Sequence, residues 1–203
     1  MSINLSFTQF MNFAVKNGSP RITAVKNIKT DDDYHPGKDY WKEFRDTIRK
    51  IHQSNSDISK LDNLLYSISP KKVPNYRQAI TKYKSFIKGN NIEWFDPPKS
   101  KYSYGGVTIN VNHELGLYIN GKPYLIKLLL AKDATKYAKK GNLQTTLALS
   151  YLATEFNELP DDTQSMILIV NKKKTYNSSY PSNEIQALLK SEILSFETIF
   201  NSI

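Results

Sequence analysis

The reading of this chain turns on YGGVTINVNHELGLYINGKPYLIKLLL, residues Tyr104–Leu130, and above all on Asn120-Gly121. Two alternating apolar runs joined by Asn-Gly predict a β-hairpin, because a type I′ turn sets both central residues at positive φ. A two-residue turn pairs Ile119 with Lys122, Tyr118 with Pro123, Gly116 with Leu125 and Glu114 with Lys127. Side chains alternate across a strand. One face therefore carries Leu115, Leu117, Ile119, Tyr124, Ile126, Leu128 and Leu130, and reads as core. The other carries Glu114, Gly116, Tyr118, Leu125 and Lys127. A carboxylate thus meets an ammonium across the hairpin, with Cβ atoms roughly 5 Å apart.

Composition sets broad limits. The chain has 203 residues, 39% of them hydrophobic, which suits one domain of ordinary size or a core with a helical lobe packed on it. It contains no cysteine, so disulfides and thiolate metal sites are excluded. MSINLSFTQFMNF lacks the basic flank and small-residue cleavage pattern of a signal peptide. No apolar run approaches the ~20 residues that span a bilayer. The expectation is a soluble, cytoplasmic protein with no membrane partner.

The net charge of +9 is uneven: residues 1–90 hold 16 Lys/Arg against 8 Asp/Glu, and residues 91–203 hold 12 against 11. A basic half of this kind attracts polyanions, nucleic acid among them. Lysine outnumbers arginine 24 to 4, however, and arginine is the better bidentate reader of phosphates. Surface solvation accounts for the same surplus, so charge alone does not decide.

Working outward, Ser6–Lys16 reads as a helix with a Ser6/Gln9 capping box, ended by Gly18 and Pro20. Residues 23–39 read as a loop holding Asp31, Asp32, Asp33 and His35, whose spacing fits no calcium loop. Trp41, Phe44, Ile48 and Ile51 mark an amphipathic helix over 39–52, with Lys42, Arg45, Arg49 and Lys50 on its wetter side. A second helix is expected over 57–68. A third starts at Pro74 and stops at Gly89, with Arg77, Lys82, Lys84 and Lys88 exposed. Residues 90–102 read as a junction plugged by Trp94 and Phe95. Val107, Ile109 and Val111 form a strand ahead of the hairpin. A long helix is expected over 133–157, burying Tyr137, Leu143, Leu147, Tyr151, Leu152 and Phe156, with Gly141 as a kink or split. Met166–Val170 is an unbroken apolar run, the mark of a strand covered on both faces. Lys172, Lys173 and Lys174 follow it, and a final periodic helix starts near Ser182. The predicted class is mixed α/β, with an N-terminal helical lobe over 1–89 and an α/β core over 90–203.

From residue 73 the predicted order is helix, three strands, long helix, strand, helix. This order resembles the core of the PD-(D/E)XK nuclease-like superfamily. The resemblance implies an acid on the second strand, at Glu114, and an acid-x-lysine on the third, ending at Lys127. The chain is also similar, in SPRI (Ser19–Ile22), WFDPP (Trp94–Pro98), ELGL (Glu114–Leu117) and YLIKL (Tyr124–Leu128), to an uncharacterised bacterial protein family that brings no function with it.

The nuclease pattern is incomplete. Its second acid falls on Leu125, and residues 74–88 contain no Asp or Glu. Mg²⁺ takes near-octahedral oxygen ligands, so one carboxylate makes a poor site. The resulting expectation is a catalytically degenerate nuclease fold, without cofactor, that binds nucleic acid. Arg77, Lys82, Lys84, Lys88, Lys136, Lys139 and Lys140 are its candidate phosphate contacts. Two alternatives stand beside it. One is an active Mg²⁺-dependent nuclease completed by a migrated acid such as Glu43 or Asp96. The other is a protein-interaction factor that uses exposed Tyr and Trp as anchors. His35, His52 and His113 lack metal-ligand spacing and read as surface or satisfied histidines.

Overall fold

The hairpin forms at the predicted bend. In the computed structural model, which describes residues 3–30, 39–178 and 180–203, Asn120 and Gly121 take φ of +52° and +80°. The ladder pairs Ile119 with Lys122 and runs in the expected register to Leu115 with Ile126. The Glu114 N–H donates to the Ile126 carbonyl at 3.1 Å, so Glu114 and Leu115 both oppose Ile126, as in a β-bulge, and the regular register ends there.

The chain begins with β1 (Ile3–Ser6), α1 (Phe7–Ala14), α2 (Ser19–Thr30) and α3 (Lys42–Gln53). A 3₁₀ turn (Ile58–Asn63) leads into α4 (Leu64–Ser67) and α5 (Val73–Ile87). Five strands follow: β2 (Ile92–Phe95), β3 (Lys99–Tyr104), β4 (Val107–Asn112), β5 (Leu115–Ile119) and β6 (Lys122–Leu129). Next come α6 (Lys132–Tyr137), α7 (Lys140–Thr154), β7 (Gln164–Ile169), a 3₁₀ turn (Val170–Lys172), β8 (Lys174–Ser178) and α8 (Asn183–Ser202). The fold is mixed α/β, built on two mixed sheets. One sheet has order β1-β4-β3 and the other β2-β5-β6-β7-β8. β6 and β7 run parallel, joined by the α6–α7 crossover.

Alternation along β6 and β7 explains how the helices are distributed. Ile126, Leu128 and Leu168 face one way and pack with Phe44, Ile48, Leu61, Tyr76, Ile80 and Tyr83 of the α3–α5 region. Leu129, Ile167 and Ile169 face the other way and meet Met11, Leu143 and Leu147 of α1 and α7. A third cluster joins Leu5, Phe10, Phe13 and Val25 to Ile109, Leu149, Leu189 and Phe196. Residues before 89 therefore divide among all three cores, with Met11 of α1 in the second. α3–α5 cover the five-stranded sheet, whereas β1, α1 and α2 pack with β4, α7 and α8.

Several local expectations are corrected. Residues 23–30 are helical, because Pro20 lies in the first turn of α2, where its missing N–H breaks no helical bond. Asp31–Asp33 and His35 lie outside the described residues. Residues 57–63 form a 3₁₀ turn capped by Asp57, whose carboxylate accepts from the Ser59 N–H at 2.7 Å. The 90–102 segment holds two strands, and β4 pairs with β1 and β3, so the hairpin's other neighbour is β2. The long helix splits at Ala138-Lys139 and ends at Thr154. The break leaves Tyr137 at the surface, and the early end leaves Phe156 95% exposed. The Ser6/Gln9 capping box is present in both directions. Among the described residues, no helix is long and apolar enough to cross a membrane.

Candidate functional site

The chain passes from one sheet to the other at His113 and Glu114, between the end of β4 and the start of β5. Glu114 and Lys127 are both buried there, 5% and 3% exposed. Lys127 Nζ donates to Glu114 Oε1 at 2.6 Å, and the Leu128 N–H donates to Oε2 at 2.8 Å. α3 adds two arginines from above. Arg45 Nε lies 3.9 Å from Oε1, and Arg49 Nε donates to the Glu114 carbonyl at 3.3 Å. The Phe7 ring closes the other side, with Lys127 Nζ 5.3 Å from its centroid.

These groups floor a cleft of about 710 Å³ walled by the start of α1, the end of β4 and the first two turns of α3. Its charged lining is Lys42, Arg45, Arg49 and Lys127 against Asp39, Asp46 and Glu114. Asp39 pairs with Arg45, and Asp46 pairs with Lys42 at 3.0 Å and Arg49 at 3.7 Å. His113 is 4% exposed and stacks edge-on against Phe7 at 5.4 Å. Its Nε2 hydrogen-bonds Ser150 Oγ at 2.7 Å, and Ser150 Oγ donates to Ser165 Oγ at 2.7 Å. His113 Nδ1 is buried without a hydrogen-bond partner. Burial, aided by the charge on Lys127, pushes the His113 pKa down to about 3, so the ring is neutral.

The donor set does not fit a divalent metal. A divalent metal needs several oxygen ligands, and Glu114 offers a single carboxylate that already accepts from two protein donors. The second-acid position is Leu125, which is buried. The migrated candidates are elsewhere. Glu43 accepts from Lys72 at 3.1 Å and from the Tyr76 hydroxyl at 2.9 Å, and Asp96 accepts from Trp94 Nε1 at 3.0 Å. Neither lines the cleft. Among the described residues, no group of three His, Cys, Asp or Glu side chains could hold a metal ion.

The candidate phosphate contacts fall in two places. Arg77 and Lys84 stand at i and i+7 on one stripe of α5, Lys88 is its C-cap, and Lys82 lies on the same helix. Arg77, Lys82 and Lys88 are exposed, while Lys84 is half-buried and bridges to Asp62 at 2.8 Å. Lys136, Lys139 and Lys140 belong to α6 and the start of α7, on the opposite face of the five-stranded sheet. The seven cations therefore do not form one surface.

Sequence reasoning left out three cations. Lys173 Nζ donates to Ser85 Oγ at 2.9 Å, which carries the lysine run after β7 onto α5 between Lys84 and Lys88. Arg45 and Arg49 read as wet-side residues, yet two of the chain's four arginines converge on Glu114. Their scarcity was the available signal: in a lysine-dominated chain, an arginine marks a place where a rigid planar fork is used.

Compared with protein-family models, curated proteins and solved structures, the chain has no match.

Proposed function

We propose that this chain is a nuclease-like α/β protein that binds the nucleic-acid backbone without cleaving it. The observation that carries the reading is the stripe on α5. Arg77, Lys84 and Lys88 lie along a helix with no carboxylate of its own, and Lys173 is delivered beside them from the far end of the chain. Nothing in the core of α5 requires cations there, since its buried side is made of Tyr76, Ala79, Ile80, Tyr83 and Ile87. Point charges spaced along a helix suit a repeating phosphate lattice and carry little base information.

The absence of cleavage from this reading follows from Glu114. Its oxygens accept from the Lys127 ammonium and the Leu128 N–H, and the described residues hold no group of three ligating side chains around it to gather a metal. Glu114 and Lys127 act here as a cross-strand brace under the cleft.

The test is salt dependence. Each neutralised phosphate contributes about −0.9 to the slope of log K against log[salt] on duplex DNA, so Arg77, Lys88 and Lys173, with Lys84 bridged to Asp62, give a slope of about −2.7. Arg77→Gln with Lys88→Gln should reduce that slope by about 1.8. A duplex or single strand that shows no shift even at about 50 mM salt would overturn the reading and leave a protein partner as the alternative.

A further inference from the structure

We infer that the nucleic acid held by this chain is single-stranded, and that its path crosses the end of the five-stranded sheet from α5 on one face to α6 on the other. The inference rests on the backbone-binding reading and names the class of strand that it takes.

The lysine run after β7 lies where this path turns. β6 and β7 are the parallel pair among the described strands of the sheet, and their ladder ends with Leu129 beside Ile169. Lys132 and Lys172 each stand three residues past that last pair, so both emerge at the carboxyl end of the two strands. Ligands of open α/β sheets gather beyond the carboxyl ends of parallel strands. Lys173 takes a left-handed backbone, φ +50° and ψ 41°, and caps the 3₁₀ turn. Neighbouring lysines then reach opposite faces. Lys172 Nζ donates to the Thr135 carbonyl of α6 at 3.0 Å, and Lys173 Nζ donates to Ser85 Oγ of α5 at 2.9 Å.

An ammonium has three N–H donors, so each of these lysines keeps two after its one bond to the protein. Among the described residues, none of Lys132, Lys139, Lys172 and Lys173 pairs with a carboxylate. Exposed ammoniums pinned by one neutral bond, with no counter-charge beside them, are set for an anion that arrives from outside. Lys172 and Lys173 thereby join the α5 cations to those of α6 and the start of α7 as the middle of one band.

Shape selects a single strand. Helices on opposite faces of a sheet lie roughly 20 Å apart, at about 10 Å per layer, and a band that joins them turns over the sheet end. Duplex DNA holds its direction over about 150 bp, so a duplex seated on α5 leaves α6 behind unless it is bent. A single strand follows the turn freely. Tyr137 points the same way. The break between α6 and α7 leaves it 37% exposed, between Lys136 and Lys139. Sites for single strands combine a basic track with aromatic faces on which unpaired bases stack, whereas the bases of a duplex stack on one another.

The experiment measures the affinity of the full chain for a labelled single strand of mixed sequence, and for the blunt duplex it forms with its complement, across a salt series. The expected result is about tenfold tighter binding of the single strand. Tyr137→Ala should cost the single strand about tenfold and leave the duplex unchanged. Lys132→Gln with Lys172→Gln should reduce the single-strand salt slope by about 1.4, at about 0.7 per phosphate. Arg77→Gln on α5 should weaken both. A duplex bound as tightly as the single strand, or more tightly, overturns the inference while backbone binding stands. So does a single-strand affinity that neither Tyr137→Ala nor the lysine pair moves, because the strand then lies on α5 alone. No binding of either at low salt overturns both the inference and the reading beneath it.

Discussion

Lys127 Nζ and Glu114 Oε1 stand 2.6 Å apart, both buried, at the open end of the β5–β6 hairpin. The pair is asymmetric. Glu114 also receives the Leu128 N–H and the approach of Arg45, whereas Lys127 donates to Glu114 alone among the described residues. Breaking a buried pair from one side strands the other charge, at about 3–5 kcal/mol. Glu114→Leu should therefore destabilise by that amount and Lys127→Met by less, since Glu114 keeps two donors. The double variant should cost less than the sum of the two, read from urea midpoints at constant m.

The bend itself is a second test. Gly121 at φ +80° tolerates a side chain poorly, and Gly121→Val should cost about 1–2 kcal/mol. Gly116 fails for a different reason: a Cβ there would lie 2.3 Å from the Phe95 carbonyl oxygen in the neighbouring strand. Gly116→Ala should part β2 from β5 and cost more than the turn variant, with amide-exchange protection lost first along Ile92–Phe95.

Acid stability depends on two histidines, half-buried His52 and buried His113. Burial lowers His52, hydrogen-bonded to the Tyr83 hydroxyl at 2.8 Å, to about 4, and burial with the charge on Lys127 lowers His113 to about 3. Both are neutral when folded, while the unfolded chain takes up protons below the ordinary histidine value of about 6.5. Their contribution is complete above pH 6.5 and is lost as pH falls toward 4 for His52 and 3 for His113. The urea midpoint should fall steadily from pH 7 to pH 4.5, and His52→Gln should flatten that fall. A midpoint independent of pH over this window would contradict the assignment.

Lys139 and Lys140 give a prediction in which stability and binding part ways. Lys139 is the N-cap of α7, extended at φ −123° and ψ 161° with no side-chain cap bond, and Lys140 follows it. Cations at a helix start oppose its dipole. Lys139→Asp should cap the helix and stabilise by about 1 kcal/mol. If this end of the molecule touches phosphate, the same variant should weaken binding and reduce the salt slope by about 0.9.

The hairpin was legible because its signals are local: a turn dipeptide fixes the register, and the register fixes which side chains meet. Met166–Val170 and the last helix were legible for the same reason. β1, β3 and β8 were not. Ile3–Ser6 and Lys174–Ser178 are only four and five residues long, and Lys99–Tyr104 alternates Lys and Ser with half-buried tyrosines. β1 owes its strand character to a partner far away in sequence, Ile3 beside Val107, whereas β3 and β8 are completed by their neighbours β4 and β7. The acid–base contact at the site was legible from the hairpin, although the register itself ends at Leu115 beside Ile126. The arginines above it did not, since no sequence pattern says that α3 crosses the sheet at Glu114. Nor does any pattern bring Lys173 to Ser85.

The central claim is that Glu114 is spoken for and that the chain holds nucleic acid intact. The direct measurement is the integrity of end-labelled DNA and RNA incubated with the purified chain and Mg²⁺ or Mn²⁺, at a salt concentration where binding is seen on the same gel. The account predicts a shifted, uncut strand for the wild type and for Glu114→Gln alike. Metal-dependent cleavage by the wild type that disappears in Glu114→Gln would contradict it.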